Sequence, residues 1–479
     1  MKMIRYTLSL LLLIGTSAAM AQTGYKLQFY IEGLKDTTIY LGYYYGESTY
    51  VRDTAHIDSK GNFVFDGNKP LPRGVHFLIL DRTRLFEFVI GKQQHFSMQT
   101  KNDDYVSNMK VQGDPDNQLF FENLRFNMDR NKEAEPYIKT LNNASATEAD
   151  KAAAREAFTR INEKVLEHQK QLIQKNPELV TAKLINSGRK LDIPDAPVKA
   201  NGFIDSTFQF RYYRAHFFDH FDLSDDAMIR MPRPMYSEKV NEYLDKLFVQ
   251  QADTLLKATE WLITKARKNE ETYKYMVWLL AQKYWNPEIM GLDEVFVNIN
   301  DKYFASGQMD FWANANLKKS IQEQADRMRL SMVGKSAPNL ILGDANKQMR
   351  ALHDIKKKYT VLYIYDPECG HCKKETPKLV EFLNKTKHDV GVYTVCTDTS
   401  LVKMKKYIAD MKMEKFTNTT FYYSAIGHYS KLYDAPTTPT IYIIDEKKKI
   451  IAKKFPGAER IEEFITNYER MIKAQASLK

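Results

Sequence analysis

Apolar residues change their spacing twice along this chain, and each spacing permits a different kind of layer. Up to about Val111 the period is two: Leu27, Phe29 and Ile31 alternate with Gln28, Tyr30 and Glu32, and Phe86, Phe88 and Ile90 repeat it less cleanly. Ser59-Lys60-Gly61-Asn62, Asp66-Gly67-Asn68 and Pro70-Leu71-Pro72-Arg73-Gly74 separate the runs. Short strands divided by such turns predict an all-β antiparallel sandwich or barrel over residues 22–112. Tyr43-Tyr44-Tyr45 reads as strand packing rather than as a ligand platform. Gln112-Gly113-Asp114-Pro115-Asp116 reads as a linker.

Beyond it glycine is sparse and the apolar spacing is helical, beginning with Leu119, Phe120, Leu124, Phe126 and Met128. The Ala-, Glu-, Lys- and Gln-rich stretch from Ala144 to Lys175 predicts an exposed helix or helical hairpin. Trp261-Leu262-Ile263 and Tyr275-Met276-Val277-Trp278-Leu279-Leu280 predict core helices. Breaks at 192–197 and 231–234 divide a central α-helical domain over 113–332, and the lack of a fixed repeat argues against a solenoid.

From Val333 strands and helices alternate. Val361-Leu362-Tyr363-Ile364-Tyr365 is a buried strand, and a helix follows to about Leu383. Val390 to Val395 is a second strand and Leu401 to Met411 a second helix. Thr440 to Ile444 and Ile450-Ile451 form a hairpin, and Ala458 to Ala474 closes as a helix. That order is an α/β layer arrangement.

The chain has three cysteines in 479 residues, so apolar cores rather than disulfides must hold it together. It opens Met1-Lys2-Met3-Ile4-Arg5, continues through the apolar run Leu8 to Ile14, and reaches Ala19-Met20-Ala21. This pattern reads as a secretory signal peptide over 1–21, cut after Ala21. The run is shorter than the roughly 20 residues that a bilayer requires. No cysteine at the cut suggests a lipid anchor, and no later stretch is long and apolar enough for a membrane helix. The expectation is an exported protein of the periplasm or cell envelope, without stable membrane insertion. Its formal charge is +10, but cations and carboxylates are mixed along the chain, which argues against a nucleic-acid partner.

Two of the cysteines, Cys369 and Cys372, stand in "YDPECGHCKKETPKL", where a strand ends and a helix begins. A zinc site needs two further Cys or His ligands at matching spacing, but Cys396 is the only remaining cysteine and His371 lies between the pair. A structural disulfide closing so short a loop constrains little of the unfolded chain. A redox dithiol suits the position, because free N–H groups and the positive helix end favour a thiolate. Cys369 at the helix start is the expected nucleophile, and Cys372 one turn later resolves the mixed disulfide.

"VGKSAPNL", "YDPECGHCKKETPKLVEFL" and "TTPTIYIID" together resemble a thioredoxin-fold domain of the TlpA/ResA/DsbE group over 333–479. The two front regions resemble uncharacterised domain families that precede such domains in bacterial envelope proteins. The resemblance implies a thiol–disulfide oxidoreductase acting on protein thiols and disulfides, with no cofactor beyond the dithiol. A membrane electron donor would recharge it if it is a reductant. It also implies a cis Pro439, with the backbone of Thr438 beside Cys369 for substrate binding, and a helix kink at Pro377. Glu375 matches an acid near the resolving thiol, and it follows Cys372 on the same helix face. Two features depart from the pattern. Tyr363 stands where many thioredoxins have an acid. Gly370-His371 separates the cysteines as in protein disulfide isomerase, and a charged His371 would make the disulfide easier to reduce. The family implies a reductant, whereas the dipeptide leans toward an oxidant or isomerase.

Cys396 reads as a small buried core residue, with a third redox thiol as its alternative. His216 and His220, with Asp219 and Asp222, have the spacing of a helical metal pair but lack the glutamate of a zinc protease, and no metal is assigned. A rival reading makes the front regions a binding or assembly protein that the redox domain only helps to dock.

Overall fold

The computed structural model describes residues 24–477, so the expected signal peptide lies outside the described residues. By its internal contacts the chain divides into two compact units, one up to Glu238 and the other from Lys239. Helices of the 113–332 stretch occur in both units.

The first unit begins with β1 (Tyr25–Glu32), β2 (Thr37–Tyr45), β3 (Ser48–Ile57), β4 (Asn62–Gly67), β5 (Gly74–Leu80), β6 (Thr83–Ile90), β7 (His95–Lys101) and β8 (Lys110–Gln112). They form two four-stranded sheets, ordered β4-β1-β7-β8 and β3-β2-β5-β6. Phe29 stacks on Phe63 at 5.1 Å within one sheet and meets Phe88 of the other at 5.4 Å, so alternate aromatic residues build the sandwich core. One pairing departs from the antiparallel expectation: β1 and β7 run parallel. The chain passes through the second sheet between β4 and β7, and a crossover permits parallel pairing where a hairpin does not. Tyr44 is buried in β2, with its hydroxyl 2.5 Å from Glu87 Oε1.

Asp114 and Pro115 are the start of a helix rather than a linker. Asp114 is the N-cap, accepting from the N–H groups of Asp116 and Asn117 at 3.3 and 3.1 Å, and Pro115 occupies the first turn of α1 (Pro115–Asn142). An Asp-Pro pair suits this position because its side chain takes an orphan donor and proline has no N–H to lose. Then α2 (Glu148–Lys175) completes a helical hairpin, followed by α3 (Val180–Ser187) and α4 (Phe208–His216), and the division after Glu238 falls within α5 (Met235–Lys246).

The second unit contains α6 (Ala252–Ala266), α7 (Glu270–Tyr284), α8 (Asp293–Ile299) and α9 (Ala315–Leu330). Next come β9 (Ile341–Gly343), β10 (Met349–Ala351), β11 (Tyr359–Tyr365), α10 (Gly370–Lys385), β12 (Val390–Cys396), α11 (Leu401–Asp410), β13 (Thr417–Ser424), β14 (Thr440–Asp445), β15 (Ile450–Ala452) and α12 (Ile461–Ser477). The sheet order is β10-β9-β13-β12-β11-β14-β15. Every residue of β11 is buried, as expected for a strand covered on both faces. One face packs Val361, Tyr363 and Tyr365 against Leu379 and Phe382 of α10, Met404 and Tyr407 of α11, and Ile461 and Ile465 of α12. The other joins Leu362 and Ile364 to Leu340, Leu352, Tyr429 and Tyr433. Among the described residues no helix is long and apolar enough to cross a membrane.

Candidate redox site

The site forms where β11 stops. Asp366 turns the chain: its Oδ1 accepts from Glu368 N at 2.7 Å and its carbonyl from Cys369 N at 3.1 Å. Cys369 is the N-cap of α10, in extended backbone, with its Sγ accepting from Cys372 N at 3.4 Å. A sulfur here takes the place of the usual capping oxygen and uses one of the helix's orphan donors. Cys372, Thr376, Leu379 and Phe382 are the buried face of α10, while Pro377 sits inside the helix on its exposed side.

Placement separates the thiols chemically. All three cysteines are free. Cys369 is half-buried, and its Sγ donates to Thr438 O at 3.3 Å. Partial burial pushes the Cys369 thiol up, but the hydrogen bonds it accepts, first among them that from Cys372 N, outweigh it and hold it below the ordinary thiol value. Cys372 is 0% exposed, and burial pushes it up to about 12. Cys396 is equally buried at the end of β12 and pushed up by burial to about 11, with its Sγ 3.8 Å from Asp398 O. Iodoacetamide at pH 7 is therefore expected to alkylate Cys369 alone, with the rate rising at lower pH than for an ordinary thiol. Peptide mass mapping would read this, and label on Cys372 at a comparable rate would contradict it.

The Thr438–Pro439 peptide is cis, and the structure brings Thr438 against Cys369. His371 lies exposed in the first turn. Glu375 is mostly buried, with 14% of its side chain exposed; Oε1 accepts from Ala458 N and Oε2 lies 3.3 Å from Lys378 Nζ. Under the dithiol lies a hydroxyl group of three that sequence reasoning did not assemble. Thr376 Oγ1 donates to Cys372 O at 2.9 Å, and the hydroxyls of Tyr363 and Tyr407 each lie 2.8 Å from it. Thr376 follows Cys372 by four residues, a signal the sequence offers; Tyr407, on another helix, offers none. Elsewhere, His216 Nδ1 lies 2.7 Å from Asp219 Oδ2 at the surface, and no group of three or more metal-ligating side chains occurs among the described residues.

Residues 333–453 match the AhpC/TSA family. Residues 166–327 and 25–120 match two domains of unknown function, DUF5106 and DUF4369. The thiol-disulfide oxidoreductase ResA of Bacillus cereus is 26% identical over 130 residues, 27% of this chain and 72% of that protein. ResA of Bacillus subtilis is 28% identical over 148 residues, 29% of this chain and 75% of that protein. The crystal structure of a domain of a possible thiol-disulfide isomerase from Cytophaga hutchinsonii is 34% identical, covering 30% of this chain and 97% of that one with a TM-score of 0.28. On the family match and the ResA sequences, residues 333–453 form a thioredoxin-like domain of the AhpC/TSA family, and the chain's enzymatic class is thiol–disulfide oxidoreductase.

Proposed function

We propose that this chain is exported and exchanges disulfides with protein substrates through Cys369 and Cys372. The observation that carries the reading is the pairing of a half-buried thiol, held below its ordinary pKa at a helix N-cap, with a buried thiol one turn behind it. In the reducing direction the Cys369 thiolate attacks one sulfur of a substrate disulfide. A mixed disulfide forms, and the other substrate sulfur leaves as a thiolate that takes a proton. Cys372 then loses its proton and attacks Cys369 Sγ, releasing the second substrate thiol and leaving a Cys369–Cys372 disulfide. Two electrons have passed to the substrate, and the reverse sequence oxidises a dithiol.

With Cys372 pushed up to about 12, the second step needs a base. Glu375, one turn further along α10, is the carboxylate proposed for that role. The Thr438–Pro439 edge is proposed to pair with an extended substrate backbone. The leader-like Met1–Ala21 segment supports export to the periplasm or envelope, where a membrane-embedded donor would recharge a reductant.

The reduction potential decides direction. Equilibration of the full chain against a thiol buffer is expected to give either about −270 mV, as for thioredoxin, or a value between about −180 and −120 mV, as for an isomerase or oxidant. His371→Ala is expected to lower the potential, because a charged imidazole stabilises the reduced thiolate form. An unchanged potential would remove His371 from the mechanism.

A further inference from the structure

The helices that precede the redox domain have no part in the chemistry above, yet they complete a buried charge cluster at its edge. Asp434 is 1% exposed, and each of its polar groups is engaged. Its N–H bonds Ser331 Oγ at 3.1 Å, and its carbonyl accepts from Tyr442 OH at 2.9 Å. Its Oδ1 accepts from Gln324 Nε2 at 3.2 Å. Its Oδ2 lies 2.7 Å from Lys454 Nζ and 3.5 Å from Lys453 Nζ. Lys453 in turn reaches Asp293 Oδ2 at 2.9 Å. Asp293 starts α8, Gln324 belongs to α9 and Ser331 follows it, so these partners come from the helical segment.

Two carboxylates and two ammonium groups balance, but a buried ion cluster is weak evidence for net stability, because apolar side chains of similar volume often serve as well. Such a cluster does demand one arrangement, since each displaced member leaves a charge unpaired in the interior. What it holds here is Asp434. Only Ala435, Pro436 and Thr437 separate Asp434 from Thr438, whose carbonyl lies 3.3 Å from Cys369 Sγ. Pro436 and Pro439 fix two of the backbone torsions, and Thr440 Oγ1 donates to Thr437 O at 2.6 Å. The segment is too short and stiff to absorb a shift at Asp434.

We propose that Asp293, Gln324 and Ser331 are positioning residues of the redox site, holding the Ala435–Thr438 edge against Cys369 through Asp434. This rests on the reading of Cys369 as the attacking thiol. A small disulfide needs only that thiol, whereas a polypeptide disulfide also needs the backbone edge.

The test uses the full chain carrying Asp293→Asn or Gln324→Ala, with insulin as the polypeptide disulfide and Ellman's reagent as the small one. The insulin rate is expected to fall about tenfold or more, since misplacement by about 1 Å can cost that much, while the rate with Ellman's reagent stays within about twofold. Should Asp293→Asn fail to fold, Gln324→Ala, which removes an uncharged partner, decides alone. An unchanged insulin rate, or an equal loss with both disulfides, overturns the proposal. Cys369→Ala run beside them separates the two levels: if it reduces insulin like the wild type, the dithiol reading falls and this inference with it. Unchanged positioning variants beside an inactive Cys369→Ala overturn the inference alone.

Discussion

Replacing Cys369 by alanine is expected to lower disulfide exchange by the full chain at least about a thousandfold, as removal of an attacking nucleophile does elsewhere. No other thiol can take over. Cys372 is 0% exposed and pushed up to about 12 by burial, so its thiolate is scarce at pH 7. Cys396 is equally buried, with its pKa pushed up to about 11. Cys372→Ala should behave differently, since the first attack remains possible while resolution does not. A mixed disulfide at Cys369 should then accumulate and appear on a non-reducing gel with a polypeptide substrate. A Cys369→Ala protein that exchanges disulfides at the wild-type rate would refute the proposed mechanism.

Lys453→Met is expected to destabilise the protein by about 3–5 kcal/mol, the cost of leaving a buried charge without its partner. The Lys453 and Asp293 side chains are 4% and 2% exposed at 2.9 Å, so little water can compensate the carboxylate. Asp434 is spared the same fate, because Lys454 remains 2.7 Å away. At about 2–4 °C per kcal/mol for a folding unit near 240 residues, the midpoint of thermal unfolding should drop by about 6–20 °C. The double variant Lys453→Met with Asp293→Leu should recover much of that loss, since removing both charges leaves nothing unpaired. Equal midpoints for the wild type and the single variant, followed by circular dichroism, would show that water or rearrangement satisfies Asp293.

The elements legible in advance were those whose signals are local. β11 announces itself as a buried apolar run, and α10 as the helix that follows it to about Leu383. The three-residue strands β9 and β10 are too short to show a period. β13, Thr417–Ser424, is rich in Thr and Tyr without clean alternation, and its place is set by pairing with β12 and β9. Asp114-Pro115 was legible as punctuation but not as a helix start, because a loop and an N-cap use the same residue types.

The sequence by itself carries the proposed dithiol and the proposed order of its two roles. Strand, C-x-x-C and helix are contiguous, and position within a helix's first turn decides which thiol meets the free N–H groups. Only the tertiary structure decided what surrounds them. Thr438 reaches Cys369 across 69 residues, Tyr407 meets Thr376 across 31, and Lys453 finds Asp293 across 160. Spacing along a chain reports which residues share a face of one element. Contacts between elements depend on the order of strands in the sheet and the packing of helices against it, which no local window contains.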